Sequence, residues 1–247
     1  MTSQKVRTFV LETEEQLAQK LGLELVRCEK QALTKGRSFR IGLSGGSLVQ
    51  LLTKAITSTP QLDTARWVFF FCDERYVPND HSDSTFFAYK THLLTQIPTI
   101  LEKQFIKADT TKPLDECAAD YESRLRAEFS DNTLPQFDLL LLGIGPDGHT
   151  CSLFPDQPVA LAEVKRLVIP IRNSPKPPPE RITFTFPLIN NATDTIFALM
   201  GAGKADIVKR AFVESDEQLP AALVRPTKGQ LTLIMDNGAG HIFLPAK

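Results

Sequence analysis

Residues Phe137 to Thr150 read F-D-L-L-L-L-G-I-G-P-D-G-H-T, and this stretch constrains the fold more than any other in the chain. Four consecutive leucines, Leu139 to Leu142, have no alternation to give a strand one wet face, so they predict a strand covered on both sides. Glycine and proline follow at once and force a turn that bears Asp147 and His149. A strand covered on both faces belongs to a parallel sheet packed between helices, and in such sheets ligands bind in the loops beyond the carboxyl ends of the strands. Asp147 and His149 are therefore the first candidates for chemistry.

The remaining elements fit the same architecture. Leu17, Leu21, Leu25 and Val26 recur at helical spacing in a helix from Glu14 to about Thr34, with Gly36 at its end. Phe39 to Leu43 reads as a strand, Ser44 to Ser47 as a glycine turn, and Leu48 to Ile56 as a helix. Trp67 to Cys72 is a second buried strand, followed directly by Asp73, Glu74 and Arg75. Either Ser82 or Ser84 can cap a helix running to about Leu94, and Pro113 to Phe129 carries a further helical pattern. Leu167 to Ile171 is a short strand that enters the proline-dense segment Asn173 to Pro179. Ile182, Phe184 and Phe186 alternate with threonines, the period of a strand buried on one face. Thr195 to Met200 is a strand ending in Gly201-Ala202-Gly203-Lys204, then a helix through Phe212, and Leu231 to Met235 is the last clear strand. The alternation predicts an α/β fold: a mostly parallel, Rossmann-like sheet sandwiched by helices, with right-handed crossovers, in one domain spanning residues 1–247.

Charge and cysteine usage narrow the partners. The chain of 247 residues has 28 basic and 29 acidic side chains, a formal charge of -1, with no block of one sign. That removes the footprint of a nucleic-acid or membrane-surface binder and leaves a small molecule as the expected partner. The amino terminus has no apolar leader-like core and the apolar runs are strand-sized, so a soluble, cytoplasmic protein is expected. Four cysteines and four histidines show neither C-x-x-C nor H-x-x-x-H spacing; buried thiols, no metal and no cofactor are expected.

Four groups of residues could carry chemistry. Ser44, Gly45, Gly46 and Ser47, between strand and helix, let backbone N–H groups approach an anion, although an ordinary tight turn uses the same string. The string is neither a dinucleotide fingerprint nor a P-loop, and no nucleophile elbow surrounds either serine. Arg75 can fix an anionic or carbonyl oxygen with Asp73 as neighbour, while Glu74 between them points elsewhere; a solvated surface pair is the alternative. His149 can take a proton from water while Asp147 holds its tautomer. Arg181 and Lys204 are single cations that can join a phosphate site, with Lys176 a weaker candidate.

Together, Gly42 to Ser47, Cys72 to Arg75, Gly143 to Pro155, Ser174 to Thr183 and Gly201 to Lys204 resemble the 6-phosphogluconolactonase family, in order and across nearly the whole chain. The resemblance implies a fold like that of glucosamine-6-phosphate deaminase. It also implies cofactor-free hydrolysis of 6-phospho-D-glucono-1,5-lactone in the oxidative pentose phosphate pathway, by a monomer. It assigns the phosphate to Ser44, Gly45, Gly46, Ser47, Arg181 and Lys204, and the general base to His149 positioned by Asp147. Arg75 would bind the sugar or the developing oxyanion, and Asp73 would order the loop or a hydroxyl. The rival is a sugar-phosphate deaminase or isomerase of the same fold. That deaminase has a glutamate five residues after its histidine, where this chain has Phe154, with Asp156 two residues further on.

Overall fold

The computed structural model describes residues 6–129 and 134–244. Along them the elements run β1 (Arg7–Leu11), α1 (Glu14–Leu33), β2 (Phe39–Leu43), α2 (Leu48–Thr57), β3 (Trp67–Phe71), β4 (Asp73–Arg75), α3 (Thr85–Tyr89), β5 (Phe105–Ile106), α4 (Leu114–Glu128) and β6 (Leu139–Leu142). There follow α5 (Pro158–Leu161), β7 (Val168–Ile171), β8 (Arg181–Phe184), α6 (Phe186–Ile189), β9 (Asp194–Leu199), α7 (Ala205–Phe212), β10 (Gln230–Asp236) and α8 (Asn237–Gly240). Seven strands form one sheet in the order β1-β10-β9-β6-β2-β3-β5, and every pairing in it is parallel. The leucine run is its middle strand.

All four leucines of β6 are fully buried, and successive side chains go to opposite layers. Leu139 and Leu141 pack with Leu21 and Leu25 of α1 and Leu52 of α2. Leu140 and Leu142 pack with Tyr121 and Leu125 of α4 and Val208 of α7. Burying each leucine contributes about 1.5–3 kcal/mol, so the strand at the centre of the sheet is also what joins the two helical layers. α1 enters through a capping box: Thr13 Oγ1 accepts from Gln16 N at 3.2 Å while Gln16 Oε1 accepts from Thr13 N at 3.3 Å.

The structure departs from the sequence reading in several places. Asp73–Arg75 is neither loop nor solvated pair but the strand β4, which joins β8 and β7 in a separate three-stranded antiparallel sheet. β8 starts at Arg181 and is buried at every residue, not on one face, because β4 and β7 flank it and Thr183 Oγ1 accepts from Ser152 N at 3.1 Å. Phe186 belongs instead to the one-turn helix α6. Helix α1, by contrast, spans Glu14–Leu33 with its cap at Thr34 as its spacing predicts, and Gly36, with φ +71°, turns the chain two residues beyond the cap. Ser84, not Ser82, caps α3, accepting from Phe87 N at 3.2 Å, and a π-helical turn over Lys90–Leu94 continues it. Two edge strands, β1 and β5, went unread.

Candidate active site

Parallel strands deliver their carboxyl ends to one side, and four neighbours in the sheet, β9, β6, β2 and β3, each end in a segment carrying candidate residues. The ladder continues into these loops, with Ser44 N donating to Leu141 O at 3.1 Å and Cys72 N to Leu43 O at 2.8 Å. Between them lies an open cleft of about 190 Å³ whose walls include Ser44, Gly45, Gly46, Ser47, Asp73, Arg75, His149, Arg181 and Lys204. Asp147 stands behind His149. Residues separated by as much as 160 positions thus meet at one place.

The D-G-H turn is locked by its own backbone. Gly145 N donates to His149 O at 2.9 Å, Gly148 N to Gly145 O at 3.0 Å, and Thr150 Oγ1 to Gly143 O at 2.9 Å. Gly148 has φ +84°, a conformation that other residues adopt only with strain. The imidazole of His149 lies against Gly145 so closely that a Cβ there would stand 2.0 Å from its Cε1. On the other side the Phe154 ring packs at 4.7 Å between centroids.

His149 Nδ1 and Asp147 Oδ1 are 2.5 Å apart. With a carboxylate as acceptor, Nδ1 carries the hydrogen and Nε2 is left with a lone pair. Burial pushes the His149 pKa below the ordinary histidine value; Asp147 opposes this and Lys176 adds to it. Burial works against the Asp147 carboxylate, yet the hydrogen bond from His149 and the nearby charges of His149 and Lys176 hold its pKa below the usual range. The pair is therefore a neutral imidazole oriented by an ionised carboxylate, the state a general base requires.

The Ser44–Ser47 loop and Lys204 line the same cleft. Gly46 has φ +70°, and Ser44 Oγ, beside the Cys72 thiol, is buried without an oxygen or nitrogen partner among the described residues. Tyr89 fixes the loop from below, its hydroxyl donating to Ser44 O at 2.9 Å. Lys204 Nζ donates to Ile144 O at 3.1 Å, and burial lowers its pKa. Arg75 Nη1 donates to Asp83 O at 3.0 Å while its buried Nε has no hydrogen-bond partner among the described residues.

Asp73 Oδ2 accepts from Ser152 Oγ at 2.7 Å and lies 3.9 Å from Arg181 Nη1. Glu74 points away from the cleft, as its place in the strand requires. It accepts from Arg75 N and Thr85 N at 2.7 Å each and from Phe86 N at 2.9 Å, which ties β4 to the start of α3. Arg181 is buried, and most of its donors are used inside the protein. Nε reaches Pro178 O at 3.2 Å, and Nη2 reaches Lys176 O at 3.0 Å and Pro177 O at 3.1 Å. Sequence reasoning missed Ser152, which has no charge or turn to mark it. It also undervalued Lys176, whose place depends on a long loop folding back. Among the described residues no three His, Cys, Asp or Glu side chains gather as a metal site, and no helix is long and apolar enough to cross a membrane.

Residues 12–233 match the family model described as glucosamine-6-phosphate isomerases/6-phosphogluconolactonase. A probable 6-phosphogluconolactonase of Drosophila melanogaster is 64% identical over 228 residues, covering 92% of this chain and 91% of that protein. The 6-phosphogluconolactonase of Homo sapiens is 48% identical over 209 residues, covering 83% of this chain and 80% of that protein. Among solved structures, the 6-phosphogluconolactonase of Leishmania guyanensis superposes with a TM-score of 0.83 at 25% identity, covering 98% of this chain and all of that one.

Proposed function

The chain belongs to the glucosamine-6-phosphate isomerase/6-phosphogluconolactonase family and is an enzyme of its lactonase branch, and from that premise we propose that it hydrolyses 6-phospho-D-glucono-1,5-lactone to 6-phospho-D-gluconate with His149 as general base. The observation that carries the reading is the Asp147–His149 pair at 2.5 Å, whose imidazole lines the same cleft as the Ser44–Ser47 loop and Lys204. One end of the cleft activates water and the other holds an anion.

A lactone is an activated ester, so positioning, a base and an oxyanion partner suffice, without a covalent nucleophile. His149 Nε2 takes a proton from water as the water oxygen bonds to the lactone carbonyl carbon. The carbonyl oxygen becomes the oxyanion, facing the Arg75 guanidinium. As the tetrahedral intermediate collapses, the bond to the ring oxygen breaks and protonated His149 returns the proton to that oxygen. Asp147 holds the Nδ1–H throughout and stabilises the transient imidazolium. The phosphate is held by Ser44, Gly45, Gly46 and Ser47 with Lys204. Arg181 adds positive charge and little direct bonding, because its fork already holds loop carbonyls. Asp73 orders the Ser152 segment beside the base. We infer the same single-domain role for residues 1–247, in the oxidative pentose phosphate pathway, as a cytoplasmic monomer. One sheet drawing strands from Arg7 through Asp236 supports the single domain.

Lactone loss above its spontaneous rate tests the assignment. His149→Ala is expected to lower kcat/KM by about 10³-fold with an unchanged unfolding midpoint. Wild-type activity in that variant would remove the base. Ammonia release from glucosamine 6-phosphate by the wild-type protein would move the chain to the deaminase side of the family, against which Phe154 packed on the imidazole already stands.

A further inference from the structure

The proline segment between β7 and β8 folds back over the D-G-H turn, and its backbone is fastened from within. Ser174 N donates to Pro179 O at 2.9 Å, closing the segment on itself. Lys176 N donates to Ser174 Oγ at 3.2 Å, and Lys176 O accepts from Ser174 Oγ at 2.8 Å and from the buried Arg181 Nη2 at 3.0 Å. With both backbone polar groups of Lys176 bound, its side chain has a fixed origin. Lys176 Nζ comes within 3.3 Å of Asp147 Oδ1 and 3.3 Å of His149 Nδ1.

Two donors, the Lys176 ammonium and the ring N–H of a neutral imidazole, therefore compete for one carboxylate oxygen. If the ammonium donated to Nδ1, the ring hydrogen would sit on Nε2 and the nitrogen lining the cleft could not accept a proton. With the ammonium and Nδ1–H both donating to Asp147 Oδ1, Nε2 keeps its lone pair, and protonating it places a second positive charge beside Lys176. We propose that Lys176 is a positioning residue for the reaction: its ammonium shares Asp147 with the His149 ring and sets the protonation state in which the imidazole meets substrate. The inference rests on the general-base reading above. Other charged groups bordering the imidazole's site are Asp73 and Arg75 of β4, Arg181 of β8 and Lys204 of the turn after β9. Asp73 favours the imidazolium, and the direction of Lys176's influence on His149 is the opposite.

The experiment is a pH profile of kcat/KM paired with an NMR titration of the His149 ring in the substrate-free protein, for wild type, Lys176→Met and Lys176→Arg. The base works only when neutral, so activity falls as pH drops through the imidazole pKa. Removing a neighbouring positive charge raises that pKa. For Lys176→Met, the acid limb and the ring titration should both move up by about one pH unit, with the high-pH plateau kept within about threefold. Lys176→Arg should restore the wild-type limb. A lowered plateau with neither midpoint moved would make Lys176 merely structural and overturn the proposal. A KM raised about tenfold, again with fixed midpoints, would make it a phosphate handle and overturn it equally. The ring titration is read without turnover, so an active His149→Ala would remove the base while leaving the lysine's influence on the imidazole separately measured.

Discussion

At the end of the main sheet where the strands begin, acids sit in ion pairs or accept hydrogen bonds within the protein. Asp138, just before β6, takes both arms of the Arg37 fork at 2.6 Å and the Arg40 N–H at 2.9 Å. Asp194, opening β9, binds Arg27 at 2.5 Å, and Arg27 in turn binds Glu24, which also receives Arg7 and Lys20. Glu29 accepts the indole N–H of Trp67 at 2.6 Å where β3 starts. At the opposite end, Ser44 Oγ and Arg75 Nε are buried without an oxygen or nitrogen partner among the described residues, and a lysine and a histidine contend for one aspartate. The carboxylates are thus satisfied where the strands begin, while charged and polar groups are left to be met where they end, although the hydroxyls of Thr195 and Thr232 near the starts of β9 and β10 are also buried without a hydrogen-bond partner among the described residues. The cleft end is where a ligand has something to complete, since buried polar groups without partners cost about 1–3 kcal/mol each until they are met.

The contrast predicts that substitutions at the cleft end change turnover and spare stability, with the reverse at the other end. The largest effect is expected from Gly145→Ala, whose Cβ cannot coexist with the imidazole where it lies. Displacing the base by about an ångström should cost 100-fold or more in kcat/KM, with a circular dichroism melt close to wild type. A fully active variant would show that the ring position is not critical. Next is the acid behaviour of Glu24, whose pKa is lowered to about 2 because three cations outweigh the cost of burial. Its folded pKa lies below the unfolded one, so its contribution is complete above about pH 4.5 and is lost as pH falls toward 2. Urea unfolding at pH 7 and pH 3 should show about 2 kcal/mol less acid loss in Glu24→Gln than in wild type, and equal losses would dissolve the network's role. Asp138→Ala should then cost about 2 kcal/mol of stability and leave the kcat of the surviving folded protein intact. Smallest is Lys204→Ala, expected to weaken 6-phosphogluconate binding about tenfold by calorimetry with little change in the melt. Unchanged binding would take Lys204 out of the phosphate site.

Much of the cleft was legible because parallel strands leave a local signature. Leu139 to Leu142 and Trp67 to Cys72 announce themselves as doubly buried, and whatever follows such a strand lies at the sheet's edge. Asp147 with His149, and Ser44 to Ser47, were readable on those grounds. Arg181 was legible as a basic residue at a strand start, whereas the occupation of its Nε and Nη2 by carbonyls of the proline segment appears only in the fold. β4 escaped because three consecutive charges suggest solvent, whereas Glu74 is buried with its carboxylate fed by backbone N–H groups. β1 escaped because an edge strand half-covered along its length has no sharp periodicity. The ion pairs at the far end were invisible for a different reason. Arg37 and Asp138, or Arg27 and Asp194, are joined only by the fold.

The assembly of the cleft from Ser44, Asp73, His149, Lys176 and Lys204 has a kinetic corollary. No short contiguous fragment contains His149, the Ser44–Ser47 loop and the proline segment that carries Lys176, and their meeting must wait for pairings between strands far apart in sequence. Turnover is then a property of the finished chain alone. During refolding from urea, recovery of hydrolysis should lag recovery of helical signal and coincide with the last-forming strand contacts, which makes the reaction itself a clock for completion of the fold.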